Sequence, residues 1–80
     1  MKLDFDFGQF SESRTLHWHI LEVTDSANGK KFYSSINTLR LLELPQIVKY
    51  HKLTISEVRV IKTLSDRNEA RAIADEFPFS

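Results

Sequence analysis

Residues 15–34, TLHWHILEVTDSANGKKFYS, decide the fold of this 80-residue chain. From Thr15 to Thr24, apolar residues occupy both faces of a period-2 pattern, which predicts a strand inside a sheet and not at its edge. Asn28-Gly29 is a strong hairpin signal, because asparagine and glycine accept the positive φ angles of tight turns. Residues 31–34 then return as the partner strand. The stretch predicts a β-hairpin at the centre of the fold.

The segments on either side of the hairpin predict one more strand and two short helices. Apolar and acidic residues alternate over residues 3–7, which predicts a half-buried first strand. Ser34 or Ser35 is expected to cap a helix that covers Ile36 to Leu42. Pro45 should end that helix and is a good first residue for a second one carrying residues 47–48.

The last third of the chain predicts a strand followed by a helix. Residues 56–64 hold a β-branched run, and Asp66 with Glu69 three positions later resembles a capping box. The apolar stripe of the helix is expected at Ala70, Ile73, Ala74 and Phe77, with Pro78 as its stop. The order β-β-β-α-α-β-α predicts a single α+β domain over residues 1–80. We expect a small mixed sheet of three to four strands with two to three helices packed mainly on one face.

The composition is that of an ordinary globular chain. Hydrophobic residues make up 41% and charged residues 28%, with a formal net charge of +0. The chain has no cysteine, which excludes disulfides and thiolate metal sites. The acidic N-terminal stretch does not resemble a signal peptide, and no apolar run approaches the roughly 20 residues of a spanning helix. We therefore expect a cytoplasmic protein with no membrane partner.

Catalytic, metal and cofactor sites are not expected. His17 and His19 are spaced to share a strand face and with His51 give three histidines, but the sequence places no carboxylate to complete a metal site. No Gly-x-Ser-x-Gly elbow occurs, and two glycines in the whole chain leave no phosphate-cradling loop.

Positive charge is concentrated in the middle of the chain. Residues 30–63 hold seven lysines or arginines against two glutamates, whereas acids outnumber bases on either side. Lysines neutralise phosphates and aromatic rings stack on bases. The candidate nucleic-acid-binding residues are Lys30, Lys31, Tyr33, Arg40, Lys49, Tyr50 and Lys52. The alternative, a solvated face of ordinary lysines, stays open.

The order hairpin, helix, strand, helix over roughly residues 19–77 resembles the GIY-YIG nuclease family. Residues 23–35 contain an Asn-Gly-Lys turn similar to the one between the two signature strands of that family. Residues 58–64, followed by Asp66, Glu69 and Ala70, are similar to its late strand and helix. The resemblance implies a nuclease-like scaffold.

The signature residues of that family are missing, so the resemblance implies an inactive copy. The first triplet falls on residues 19–21 (His-Ile-Leu) and the second on residues 32–34 (Phe-Tyr-Ser). The helix arginine corresponds to Arg40 only with a shift of register, and the metal-binding glutamate falls near Ala74. Cleavage of this type requires a metal held by a carboxylate.

Two functional hypotheses follow. The first is a non-enzymatic regulator that binds DNA or RNA. The second is a protein-binding module or inhibitor, of a mobile-element or phage type, which uses separated charges and exposed aromatics such as Phe5, Phe10 and Phe79. The edge-prone strands also leave a homodimer open.

Overall fold

The chain forms a four-stranded sheet with three helices in the part that a computed structural model describes, residues 1–5, 8 and 16–78. In chain order the elements are β1 Lys2–Asp4, β2 Trp18–Asp25, β3 Lys31–Asn37, α1 Thr38–Leu42, α2 Leu44–Tyr50, β4 Ile55–Leu64 and α3 Arg67–Ile73. The predicted α+β class and the predicted order of elements are confirmed. Within the described residues, no helix is long and apolar enough to cross a bilayer.

The sheet is mixed and places β2 in its interior. The strand order is β1-β4-β2-β3, with β1 parallel to β4 and the other pairs antiparallel. β2 therefore pairs on both sides, as its apolar residues predict. The β2–β4 register shifts between Ile20 and Leu21, which marks a β-bulge. Residues 6–7 of the predicted first strand lie outside the described residues.

The turn between β2 and β3 is built as Asn28-Gly29 predicts. The Gly29 φ angle is +71°, a left-handed value that suits glycine. The Gly29 N–H donates to the Asp25 carbonyl at 2.8 Å, and the Asp25 N–H donates to the Lys30 carbonyl at 2.8 Å. The Asn28 side chain accepts the Lys30 N–H at 2.9 Å. These bonds fix the register of the hairpin.

The first helix starts later than predicted. Ser34 and Ser35 are paired with Leu21 and Ile20 in the sheet, so neither serine caps a helix. Ile36 also belongs to β3, because the alternation of the strand brings its side chain into the core. The cap is Asn37, whose side chain accepts the Arg40 N–H at 2.8 Å. The prediction of a helix over Ile36 was wrong because the strand pairing continues through it.

Alternation along β2 separates two apolar clusters on the two faces of the sheet. Leu21 and Val23 pack with residues of β3, β4, α1 and α2, including Leu41, Leu44 and Ile47. Trp18 and Ile20 point the other way and pack against α3 residues and Ala74. Two helices therefore lie on one face and α3 on the other. Pro45 stands in the first turn of α2, as predicted.

The chain after α3 crosses from one face of the sheet to the other. Asp66 caps α3 by accepting the Asn68 N–H at 2.9 Å, as predicted. The helix ends at Ile73, which is 52% exposed, so the predicted stripe is wrong at Ile73 and at Phe77. The Phe77 side chain instead enters the cluster of Leu21 and Val23 on the opposite face. We call residues 74–78 the C-terminal crossing.

Candidate nucleic-acid interface

Two of the seven predicted residues lie on the sheet face opposite α1 and α2, within a charged network. Lys31 Nζ is 3.3 Å from Glu22 Oε1, and the Tyr33 hydroxyl donates to Glu22 Oε2 at 3.2 Å. Arg59 joins the network at 3.6 Å from Glu22 and 3.4 Å from Asp4. The Lys31 hydrogen bond is the main cause that lowers the pKa of Glu22. Lys31 and Tyr33 are therefore already engaged by a carboxylate.

Arg40 is the one predicted binding residue that lies on α1. Its guanidinium is 3.4 Å from the Glu43 carboxylate, three residues further along the chain. Both side chains are exposed, and a surface pair of this kind contributes no more than about 1 kcal/mol. The structure therefore separates Arg40 from Lys31 and Tyr33, which lie on the other face of the sheet.

The remaining four residues, Lys30, Lys49, Tyr50 and Lys52, lie at one end of the molecule, which we call the basic end. Two hydrogen bonds join the β2–β3 turn to the α2–β4 connection at this end. The Ser26 N–H donates to the Thr54 carbonyl at 3.0 Å, and the Thr54 hydroxyl donates to the Asp25 carboxylate at 3.2 Å. They bring the turn that carries Lys30 beside the segment that carries Lys52.

The basic end has exposed positive charge and an exposed ring. Residues 44–56 contain no aspartate or glutamate. Within the described part of the chain, Lys30, Lys49 and Lys52 form no ion pair. The Tyr50 side chain is 82% exposed, and its ring meets the His51 ring edge-on with centroids 5.1 Å apart. Cations and an aromatic face are therefore presented together.

Lys52 holds a backbone conformation that normally selects glycine. Its φ angle is +53°, in the left-handed region. The Leu53 N–H donates to the Val48 carbonyl at 3.0 Å and the Lys52 N–H to the Lys49 carbonyl at 3.3 Å. This pair of bonds is the Schellman motif, in which glycine is the usual residue at the left-handed position. A lysine here adds charge to the basic end at some cost in stability.

Replacing Lys52 with glycine should raise the free energy of unfolding by about 0.5–1 kcal/mol, because the left-handed strain is relieved. The matched variant Lys52→Ala removes the same charge but keeps a Cβ atom, so it should give no such gain. Urea titrations of the two variants and the wild type make the comparison. Equal midpoints for glycine and alanine would contradict the strain at Lys52.

The three histidines occupy different surroundings. His19 is buried, with Nδ1 3.0 Å from the Thr63 hydroxyl and Nε2 2.9 Å from the Thr38 hydroxyl. His17 precedes β2, and His51 follows α2. The described residues contain no group of three or more histidine, aspartate or glutamate side chains placed to hold a metal. Burial first, and then the charge of His17, lowers the pKa of His19 to about 4.

An apolar pocket that the sequence did not predict opens beside the basic end. Its volume is about 130 Å³, and Asp25 and Thr54 form its polar edge. Its apolar walls are Phe32, Leu53, Ile55, Phe77 and Pro78. These residues come from β3, the α2–β4 connection, β4 and the C-terminal crossing, so only the folded chain brings them together.

The segments that resemble the nuclease signature are neighbours in the β2–β3 hairpin, where Leu21 pairs with Ser34. Ala74, near which the resemblance would place the metal-binding glutamate, is buried against α3 and β2 and carries no ligand group. The nuclease resemblance stays a prediction. Comparison of the chain with protein-family models, with curated proteins and with solved structures gave no match in any of the three.

Proposed function

We propose that this chain is a non-catalytic, cytoplasmic regulator that binds nucleic acid through its basic end, on a scaffold that resembles an inactive GIY-YIG nuclease. The observation that carries the proposal is the set of three lysines without carboxylate partners among the described residues, grouped at one end with the exposed ring of Tyr50. A chain of zero net charge can attract phosphates locally where its charges are separated in this way.

The proposed contacts are few, so the binding is modest and depends on salt. Each phosphate neutralised by a lysine adds about −0.7 to the slope of log affinity against log salt for a single strand. Three lysines therefore correspond to a slope of about −2. Stacking on Tyr50 adds roughly 1–3 kcal/mol per base without requiring a sequence.

The non-catalytic part of the proposal is supported by the side chains at the signature positions. His19 is buried and has both ring nitrogens on threonine hydroxyls, so it is held away from a substrate. Residues 32–34 place a phenylalanine first and a serine last in the second triplet. Ala74 supplies no carboxylate for a metal.

Fluorescence anisotropy with a labelled oligonucleotide at about 50 mM and about 200 mM salt tests the proposal. The double variant Lys49→Gln, Lys52→Gln should lose about tenfold or more in affinity at the lower salt, and its salt slope should fall by about 1.4. The control pair Lys62→Gln, Arg71→Gln removes the same charge elsewhere and should bind as the wild type does. No binding by the wild type at the lower salt would refute the function.

A protein-binding module or inhibitor is the second candidate. The observations that favour it are the separate acidic and basic segments of the chain and the apolar side chain of Leu39 on α1, which is 65% exposed. Of the aromatics predicted to be exposed, Phe5 packs partly against the core, while Phe10 and Phe79 lie outside the described residues. A pull-down in which wild-type and Leu39→Asp baits recover the same proteins would count against this candidate.

A further inference from the structure

We infer that the nucleic acid bound at the basic end is single-stranded, and that one of its bases, a pyrimidine, enters the apolar pocket beside Phe32. The inference rests on the proposed function and names the ligand class of that same site. It is carried by the position, the size and the chemistry of the pocket.

The pocket and the lysines share one end of the fold. Lys52 directly precedes Leu53, an apolar wall of the pocket, and Lys30 lies two residues before Phe32. The Thr54 hydroxyl donates to the Asp25 carboxylate, and these two residues form the polar edge of the pocket. A phosphate held by either lysine therefore places its neighbouring nucleoside at the mouth of the pocket.

The size of the pocket suits one six-membered ring. Its volume is about 130 Å³. An apolar cavity of about 150 Å³ lined by similar side chains takes up benzene in another protein. Phe77 is buried at 3% exposure, whereas Phe32 is 43% exposed and offers part of its ring to solvent. A pyrimidine can lie against Phe32 with its sugar and phosphate outside, whereas the larger, two-ring surface of a purine would extend further out of the pocket.

The charges around the pocket favour an anionic ligand, because the neighbouring lysines outnumber the single carboxylate of the lining. Asp25 is the one acidic residue that lines the pocket, and its Oδ1 already accepts the Ala27 N–H at 2.8 Å and the Thr54 hydroxyl at 3.2 Å. Those bonds direct the Asp25 carboxylate into the turn. The neighbouring lysines have no such partners in the described chain, so the rim favours a base linked to phosphate.

A duplex cannot place a base in this pocket without unpairing and unstacking it. That step costs a few kcal/mol for a paired base and much less for a single strand. The pocket therefore favours a single strand over a duplex, although both would meet the same lysines. Where stacking and strand flexibility decide binding, sequence preferences are modest, so the pyrimidine preference proposed here rests on the size of the pocket.

Anisotropy titrations with a pyrimidine strand of about 10 nucleotides, a purine strand and the duplex of the two test the inference. The wild type should bind the pyrimidine strand most tightly. Phe32→Ala should lower affinity for that strand about tenfold and leave duplex binding unchanged, because only the stacking surface is lost. Ile73→Ala, which trims an exposed apolar residue on α3, should change neither.

The outcomes separate the inference from the proposed function. If Phe32→Ala binds as tightly as the wild type while Lys49→Gln, Lys52→Gln binds weakly, the base pocket is wrong and the lysine contacts stand. Equal affinity for strand and duplex also overturns the inference. If Phe32→Ala does not fold, Phe32→Leu keeps the apolar volume, and it should still lose affinity for the pyrimidine strand. No binding at low salt removes the function and the inference together.

Discussion

Replacing Phe77 with alanine should destabilise the protein by about 3–5 kcal/mol, close to the whole stability of many domains of this size. The side chain is 3% exposed and packs in the main apolar cluster with Leu21 and Val23. Alanine would remove the whole aromatic ring from a close-packed interior, and the surrounding residues would relax only in part.

The position of Phe77 adds to that loss. It lies on the C-terminal crossing, where the Phe77 N–H donates to the Ser35 carbonyl at 2.7 Å and the Ser35 N–H donates to the Asp75 carbonyl at 2.8 Å. The Ser34 hydroxyl also donates to the Asp75 carbonyl, at 3.1 Å. Without the ring as an anchor, the crossing would leave the edge of β3 and expose these backbone groups.

Thermal denaturation followed by circular dichroism measures the effect. For a domain of 60–100 residues, 1 kcal/mol corresponds to roughly 4–8 °C in Tm, so Phe77→Ala should lower Tm by about 15 °C or more. Phe77→Leu keeps much of the volume and should lose clearly less. A fall of only a few degrees for alanine would show that the ring is not part of the core.

Acidification should weaken the fold through His19 by up to about 3 kcal/mol. Burial is the main cause that lowers its pKa from 6.5 to about 4, and the charge of His17 adds to the shift. Between these two values the unfolded chain binds a proton on this imidazole and the folded chain does not. The contribution is therefore complete above pH 6.5, is lost as the pH falls, and stops changing below about pH 4.

The hydrogen bonds around His19 fix its neutral form. The Thr63 hydroxyl lies 3.0 Å from Nδ1 and the Thr38 hydroxyl lies 2.9 Å from Nε2. In the neutral ring one of these nitrogens donates and the other accepts. A second proton on the ring would turn the accepting nitrogen into a donor inside the core.

Two measurements check this pH dependence. The imidazole signals of His19 in NMR titrations should move with a midpoint near pH 4, well below an exposed histidine. Urea denaturation of His19→Gln should lose less stability than the wild type between pH 7 and pH 4, because the buried titrating group is gone. A His19 midpoint near 6.5, its unperturbed value, would contradict the account.

The sequence predicted those parts of the fold that depend on neighbouring residues. The Asn28-Gly29 turn, the Pro45 start of α2 and the Asp66 cap each require only a few adjacent side chains, and all three are present. The end of β3 was predicted wrongly because Ser34 and Ser35 are good helix caps in isolation, and pairing with β2 overrides that preference.

The candidate site was harder to predict because it depends on which face each residue occupies. Lys31 and Tyr33 are close to Lys30 in sequence. Strand alternation nevertheless turns their side chains towards Glu22, on the sheet face opposite α1 and α2. The pocket brings Phe32 and Phe77 together from distant parts of the chain. Spacing along the sequence carries no signal for such a contact.

The parallel pairing of β1 with β4 affects the order in which the chain can assemble. Lys2 pairs with Glu57 and Asp4 with Arg59, so β1 has its partner only after residues 57–59 have been synthesised. The β2–β3 hairpin can close while translation continues, because its strands are joined by a short turn. Until β4 has been synthesised, β1 has no strand to pair with, and we expect its docking to be a late step of folding.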